Sequence, residues 1–256
     1  MKNTTIPSVT VRNLVLKTGD PKICVSISDR NQEEILDSAR ELVKRGADLA
    51  EWRADCFKGF INELLIEDTL SELREVLKDT PLIFTVRTLD EGGRADIKLF
   101  DYIKIYRAAA RTDLVDIFDI EYKIMYQLPE EVINDIKKHG KIIVSKHDFN
   151  STPEYDDLVD ELIRLQVIGG DIAKLAVMPS DEEDVKRLID ASKEIMLHHN
   201  KIPIITISMG QLGNESRLKC TETGSCLTFA SIGKPSAPGQ LPIEEVKQAF
   251  NKNKLV

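Results

Sequence analysis

A chain of 256 residues, 42% hydrophobic and 30% charged, is long enough to bury a core without disulfide or metal staples and too balanced in composition to be disordered. Its formal net charge of −8 counts against nucleic-acid or anionic-membrane partners, and no stretch approaches the roughly 20 apolar residues of a membrane span. Four cysteines (Cys24, Cys56, Cys220, Cys226) form no CxxC pair and read as free thiols in a reducing compartment; with no apolar leader in "MKNTTIPSVTVRN", the expected location is the cytoplasm.

Near the N-terminus, "VTVRNLVL" predicts two short strands that cover one end of the fold. Eight β-branched or apolar runs follow: "KICVSIS" (22–28), "ADLAEWR" (47–53), "PLIFTVR" (81–87), "LVDIFDIE" (114–121), "KIIVSKH" (141–147), "DIAKLAV" (171–177), "PIITISM" (203–209) and "SCLTFAS" (225–231). Amphipathic segments lie between them. In "EEILDSARELVKRG", Ile35, Leu36, Ala39, Leu42 and Val43 form one stripe and Gly46 is a stop signal. "EYDDLVDELIRLQVIGG" and "DEEDVKRLIDASKEIMLHHN" both begin acidic; the second ends near His198 and His199, which suits the helix dipole.

Alternating strands and helices imply a parallel sheet with right-handed crossovers. Eight such units in this length predict a (β/α)8 TIM barrel, a single domain over residues 1–256 with a short N-terminal β-hairpin closing the bottom. No glycine occurs in "SISDRNQ" after the first strand, which lowers a dinucleotide-binding alternative.

In such a barrel the chemistry sits at the C-terminal ends of the strands. Reading each run there gives Ser26 and Ser28, then Glu51 and Arg53, Arg87 with Glu91 in its loop, Asp119 and Glu121, His147, Lys174, Met209 with Arg217 in the following loop, and Thr228. Apolar runs that finish in ionisable groups imply a shared polar cavity. Strand parity puts Ile172, Lys174 and Ala176 on the interior face and Ala173, Leu175 and Val177 beneath the helices. Desolvation favours the neutral, nucleophilic form of an amine. Such an amine attacks a carbonyl to give a protonated imine, an electron sink at the adjacent carbon. Lys174 therefore points to Schiff-base chemistry that requires no metal and no organic cofactor; the alternative is a structural lysine paired with Glu51 or Glu121.

His147 suits the proton transfers of imine chemistry, with Glu91 placed to orient it. A core histidine or a weak His147–Asp148 metal site is the other reading. Arg53, Arg87 and Arg217 each follow a strand, and a guanidinium holds a carboxylate by paired hydrogen bonds, so a small anionic substrate is compatible with the net negative charge. The loop "SIGKPSAPGQLP" (231–242) is long and rich in Gly, Pro and Ser; it is a lid candidate, with Ser236 and Gln240 able to bond a polyhydroxylated ligand.

The motifs "EWRAD", "FTVRTLDEGG", "SKHDF", "AKLAVMP", "SMGQLGNESRL" and "KPSAPGQ" together resemble type I 3-dehydroquinate dehydratase, in that family's order and nearly end to end. The resemblance implies a usually dimeric (β/α)8 barrel that dehydrates 3-dehydroquinate to 3-dehydroshikimate by syn elimination through an imine, the third step of the shikimate pathway and of aromatic amino acid biosynthesis. It implies that Lys174 forms the imine, that His147 moves protons at C2 and C1, and that Glu91 tunes His147. By the same resemblance Arg217 would bind the substrate carboxylate, Glu51, Arg53 and Arg87 would contact hydroxyls or shape the pocket, and Ser236 and Gln240 would come from the lid. Met209 and Phe229 would line an apolar wall, with Ser26 at the pocket edge. Lys146 departs from the family pattern, and parity points its side chain away from the cavity. Two rivals stay open: another lysine-dependent lyase such as a class I aldolase or transaldolase, with "SMGQLGNES" as a partial phosphate loop, and a catalytically dead barrel that binds a small acid.

Overall fold

Period-two apolar runs separated by helical stripes build the expected alternation. The computed structural model describes residues 6–233 and 235–253; Lys234 of the "KPSAPGQ" motif, residues 1–5 and residues 254–256 lie outside the described residues. In chain order the elements are β1 (Ser8–Val11), β2 (Leu14–Lys17), β3 (Lys22–Ile27), α1 (Gln32–Lys44), β4 (Leu49–Arg53), α2 (Glu63–Leu77), β5 (Leu82–Thr85), α3 (Leu99–Arg111), β6 (Ile117–Glu121), α4 (Tyr122–Met125), α5 (Glu130–His139), β7 (Lys141–Asp148), α6 (Tyr155–Val167), β8 (Ile172–Val177), α7 (Glu182–His198), β9 (Ile204–Ser208), α8 (Asn214–Leu218), α9 (Cys220–Thr223), β10 (Leu227–Ser231), β11 (Leu241–Pro242) and α10 (Ile243–Asn253).

The parallel sheet runs β11-β10-β3-β4-β5-β6-β7-β8-β9. Its two ends meet where Ile204 forms a parallel bridge with Ser225, just before β10, and the Cys226 N–H donates to the Ile204 carbonyl at 2.8 Å. That seam closes β3 to β10 into the eight-stranded barrel. The two-residue β11, at the end of the lid loop, pairs in parallel with β10.

Six of the eight barrel strands start later than their apolar runs imply, and at β4, β6 and β8 one feature repeats. Asp48, Asp116 and Asp171 precede β4, β6 and β8, and each carboxylate accepts a backbone N–H from the first two residues of the strand beside it: Ile23, Leu82 and Ile142, all at 2.8 Å. An aspartate that caps a neighbouring strand bonds through its side chain and so marks the strand's beginning rather than its interior. Asn31 caps α1 by accepting from the Glu34 N–H, and Ile35, Leu36, Ala39 and Leu42 bury as predicted. Val43 lies at the edge of that stripe and stays 39% exposed.

Two apolar regions result. One lies between strands and helices, where Trp52, Phe84, Tyr106 and Phe118 pack edge-on or tilted. The other is inside the barrel, and each barrel strand contributes to it: Cys24, Leu49, Ile83, Ile117, Ile143, Ile172, Ile205 and Leu227. Val11 and Leu16 of the antiparallel β1–β2 hairpin join this interior cluster, and Arg12 in its turn bonds Asp116, so the hairpin plugs the N-terminal end. Two residues further along the same strands the interior becomes polar: Ser26, Glu51, Thr85, Asp119, Ser145 and Lys174. The barrel therefore has an apolar floor and a charged mouth. Among the described residues no helix is long and apolar enough to cross a membrane.

Candidate active site

Lys174 projects from the middle of β8 into that mouth. Its neighbours on the same face, Ile172 and Ala176, belong to the interior cluster, while Ala173, Leu175 and Val177 pack under the helices, as parity requires. The side chain is nearly closed off, with the residue 4% exposed. Its Nζ lies 2.9 Å from Asp119 Oδ2, 3.9 Å from Glu51 Oε1 and 4.4 Å from the centre of the Phe229 ring. The cation is compensated by two carboxylates and an aromatic face. The expected dry surround thus proves to be a charged one, and the partner is Asp119. Glu121 instead accepts from Arg87, the Thr88 N–H and the Thr88 hydroxyl.

Arg87 organises the next layer. It lies just past β5, is almost fully buried, and donates to Asp119 (2.7 Å), Ser145 (2.9 Å), Glu91 (3.2 Å) and Glu121 (3.3 Å). Glu91 reaches it from the following turn. That turn folds tightly because Gly93 has no side chain: a Cβ there would fall 2.0 Å from the Arg87 carbonyl oxygen. Glu91 Oε2 also accepts the His147 backbone N–H at 3.1 Å and sits 2.9 Å from His147 Nδ1. Burial, helped by the Glu121 and Asp119 charges and opposed by Arg87, pushes the Glu91 carboxyl up to about 8. Burial first, then the Arg87 and Lys174 charges, hold the His147 imidazole well below its usual range. It is therefore neutral at neutral pH and able to take a proton. With Nδ1 engaged by Glu91, Nε2 is the ring nitrogen left for the cavity.

The three arginines differ in what they have left to offer. Arg53 is bound in bidentate fashion by Asp55 (both contacts 2.8 Å), whose oxygens also accept the Arg87 and Arg94 backbone N–H groups. Arg87 is saturated by carboxylates. Arg217, positioned by α8 and 2% exposed, donates only to the Pro238 carbonyl at 3.0 Å, and its Nε is buried without a partner. Burial lowers its guanidinium to about 10, so it remains charged near neutral pH. Among the described residues it has no carboxylate partner, which makes it the cation in the mouth that still lacks an anion.

The lid candidate folds over this end. The Ser236 N–H donates to Gln240 Oε1 and the Gln240 amide donates to the Ser236 hydroxyl, both at 2.9 Å. The Gly210 N–H donates to the Pro238 carbonyl. Gly239, at φ +75°, rests against Gly210 so closely that a Cβ would come 2.1 Å from the Gly210 oxygen. Its left-handed backbone and the lack of room both call for glycine.

One cavity is lined together by Glu51, Arg53, Arg87, His147, Lys174, Met209, Arg217, Phe229, Ser236 and Gln240, with Ala176, Ile207 and Ala237. Of the residues given a site role by the family resemblance, Ser26 and Glu91 stand outside it, as do Ser28, Asp119, Glu121 and Thr228 among the other strand-end groups. Ser26 donates to Glu51 and lines a larger outer cleft that shares Arg53 and Ser236 with the cavity. Glu91 lies behind His147, where both border a second cleft. Lys146 points the other way and pairs with Glu161 on α6. Sequence reading assigned no role to Asp55 or Ser145, and counted Asp119 among the strand-end ionisable groups without giving it a partner or a role. Parity with Ile117 and Ile143 was the signal that could have placed Asp119 and Ser145 inside the barrel. Among the described residues no group of three or more His, Cys, Asp or Glu side chains is arranged to hold a metal ion. The arrangement puts an amine, an acid–base imidazole and an unpaired guanidinium around one small space, the set needed to bind a carboxylate-bearing ketone and move its protons.

The family model for type I 3-dehydroquinase matches residues 23–255. The chain is 39% identical to the 3-dehydroquinate dehydratase of Clostridioides difficile (strain 630), over 95% of this chain and 96% of that one. It is 38% identical to the enzyme of the same name from Klebsiella pneumoniae (strain 342), over 95% and 98%. Among solved structures, the type I 3-dehydroquinate dehydratase of Clostridium difficile with covalent modified comenic acid superimposes with a TM-score of 0.94 at 38% identity, covering 98% of this chain and 100% of that one. The 3-dehydroquinate dehydratase of Geobacillus kaustophilus HTA426 superimposes with a TM-score of 0.90 at 31% identity, covering 97% and 96%.

Proposed function

The chain belongs to the type I 3-dehydroquinase family, and from that premise we propose that it dehydrates 3-dehydroquinate to 3-dehydroshikimate through a Schiff base on Lys174, the third step of the shikimate pathway. The observation that carries the reading is the cavity shared by Lys174, His147 and Arg217. Arg217 holds the substrate carboxylate through its Nε side, where the buried donor has no protein acceptor. Lys174 passes a proton to His147 and attacks the C3 ketone, and loss of water leaves a protonated imine. His147 removes a proton from C2, and the electron pair runs to the nitrogen as an enamine. The enamine then expels the C1 hydroxyl as water, with His147 returning the proton. Hydrolysis of the conjugated imine releases product and frees the amine.

Glu51, Arg53, Arg87, Ser236 and Gln240 serve the substrate's hydroxyls and the shape of the pocket, and Met209 and Phe229 its apolar wall. Glu91 sets the tautomer of His147. Ser26 acts at the pocket edge by holding Glu51. The imine supplies the electron sink, so no metal or organic cofactor takes part. Kinship with a relative described with a covalently modified ligand supports covalent capture here. Family resemblance also supports a homodimer and a single barrel domain over residues 1–256. The four buried free thiols suit the cytoplasm.

Incubation with 3-dehydroquinate is expected to raise ultraviolet absorbance as the conjugated enone forms. Two carbon fragments, or no reaction, overturns the proposal. Arg217→Ala is expected to raise KM about 10- to 100-fold, the scale of lost charge-assisted hydrogen bonds, with a smaller change in kcat. Steady-state kinetics check this, and an unaltered KM removes the carboxylate from Arg217.

A further inference from the structure

Sequence reading looked for an acid beside Lys174 and named Glu51 or Glu121; the structure puts Asp119 there, one strand beyond β7 and directly against the amine. Asp119 is buried to 1% exposure and its two oxygens are divided by function. Oδ1 accepts from Arg87 Nη2 at 2.7 Å and from the Ser145 hydroxyl at 2.6 Å, and Oδ2 faces only the Lys174 nitrogen, at 2.9 Å. Glu51 is 1 Å more distant from that nitrogen, and its oxygens accept from Ser26 and Thr85. A carboxylate clamped on one oxygen by an arginine and a hydroxyl is an anion of fixed position. Resting on the Schiff-base reading above, we propose that Asp119 is the catalytic counterion of the Lys174 nitrogen, keeping it protonated once it has become an imine.

The balance of the covalent step explains the need. An ammonium and a ketone give an iminium and water, with one positive charge on each side, so the nitrogen enters and leaves the condensation as a cation. The iminium has one proton left. If it is lost, the neutral imine no longer withdraws electrons from C2, and elimination stops. A carboxylate that accepted that proton would create this dead form. Although burial alone would raise it, the Arg87 and Lys174 charges hold the Asp119 carboxyl far below the usual range, so it remains an anion. The other titratable groups facing the pair are His147, Glu51, and the Glu91 and Glu121 carboxyls on the far side of Arg87. None of them approaches the nitrogen as closely as Asp119.

The test is borohydride trapping of 3-dehydroquinate by wild-type, Asp119→Asn and Asp119→Glu proteins across pH 6–10, read as mass added to the Lys174 peptide. Borohydride reduces the iminium, so trapping falls as the imine loses its proton. In Asp119→Asn the alkaline limb is expected to move down by about one pH unit or more, the effect of removing an adjacent opposite charge, so trapping at the old midpoint falls several-fold. Asp119→Glu keeps the anion and is expected to hold the wild-type limb while trapping more slowly; it decides the matter if the Asn variant does not fold, since a shifted limb there overturns the proposal. An unshifted limb in folded Asp119→Asn overturns it while leaving the Schiff base intact. Failure of the wild-type protein to trap substrate overturns the Schiff-base reading, and this inference with it.

Discussion

Lys174→Ala is expected to lose on the order of 10⁶-fold in kcat, the scale seen when a covalent enzyme loses its nucleophile. Without the amine, the proton at C2 must be removed next to a ketone instead of an iminium, and Arg217 and His147 alone cannot replace that sink. The alanine variant also leaves Asp119 and Glu51 without their shared cation, a buried imbalance that lowers stability. Lys174→Arg separates the two effects: it keeps a charge at the site but has no nucleophilic amine, and should be as inactive as the alanine. Intact-mass and peptide analysis after borohydride and substrate provide the check. The wild-type peptide containing Lys174 gains the ligand mass and both variants do not. Label on any other lysine refutes the assignment.

His147→Ala is expected to slow turnover about 10²–10⁴-fold, the usual contribution of a positioned general acid–base group, yet still to accumulate trappable imine. The imidazole is neutral because burial and the nearby Arg87 and Lys174 charges disfavour its cation. Its removal takes away the group that shuttles protons between nitrogen, C2 and the leaving hydroxyl. Condensation can borrow water for its proton transfers; abstraction at C2 inside a lidded cavity has no such substitute. Single-turnover kinetics with borohydride quenching measure the two stages separately. A near-normal rate, or complete loss of imine in a folded variant, overturns the role given to His147. The Glu91 carboxyl stays behind in this variant with Arg87 as its remaining close side-chain partner, so the fold should tolerate the change.

What could be read without coordinates and what could not follow from the range of the interactions. Strand parity is a local property, and it placed Lys174 inside the barrel and His147 opposite Lys146 because alternate residues on a strand must oppose one another. The strand starts were read too early at Asp48, Asp116 and Asp171, because each aspartate caps the strand beside it, and which strand lies beside which is not written in the local pattern.

The sequence by itself determined the eight alternating units, the hairpin, the interior lysine and the strand-end histidine, because hydrophobic period and turn chemistry act over a few residues. Only the tertiary structure decided the pairings. Asp119 takes Lys174 from 55 positions away, Asp55 occupies Arg53, and Glu91 with Glu121 and Asp119 saturates Arg87, so that Arg217 alone of the three strand-end arginines is left without a carboxylate. Three arginines looked alike in the chain because charge is a property of a residue, whereas a free charge is a property of the neighbours that barrel closure brings within about 3 Å, the reach of a hydrogen bond.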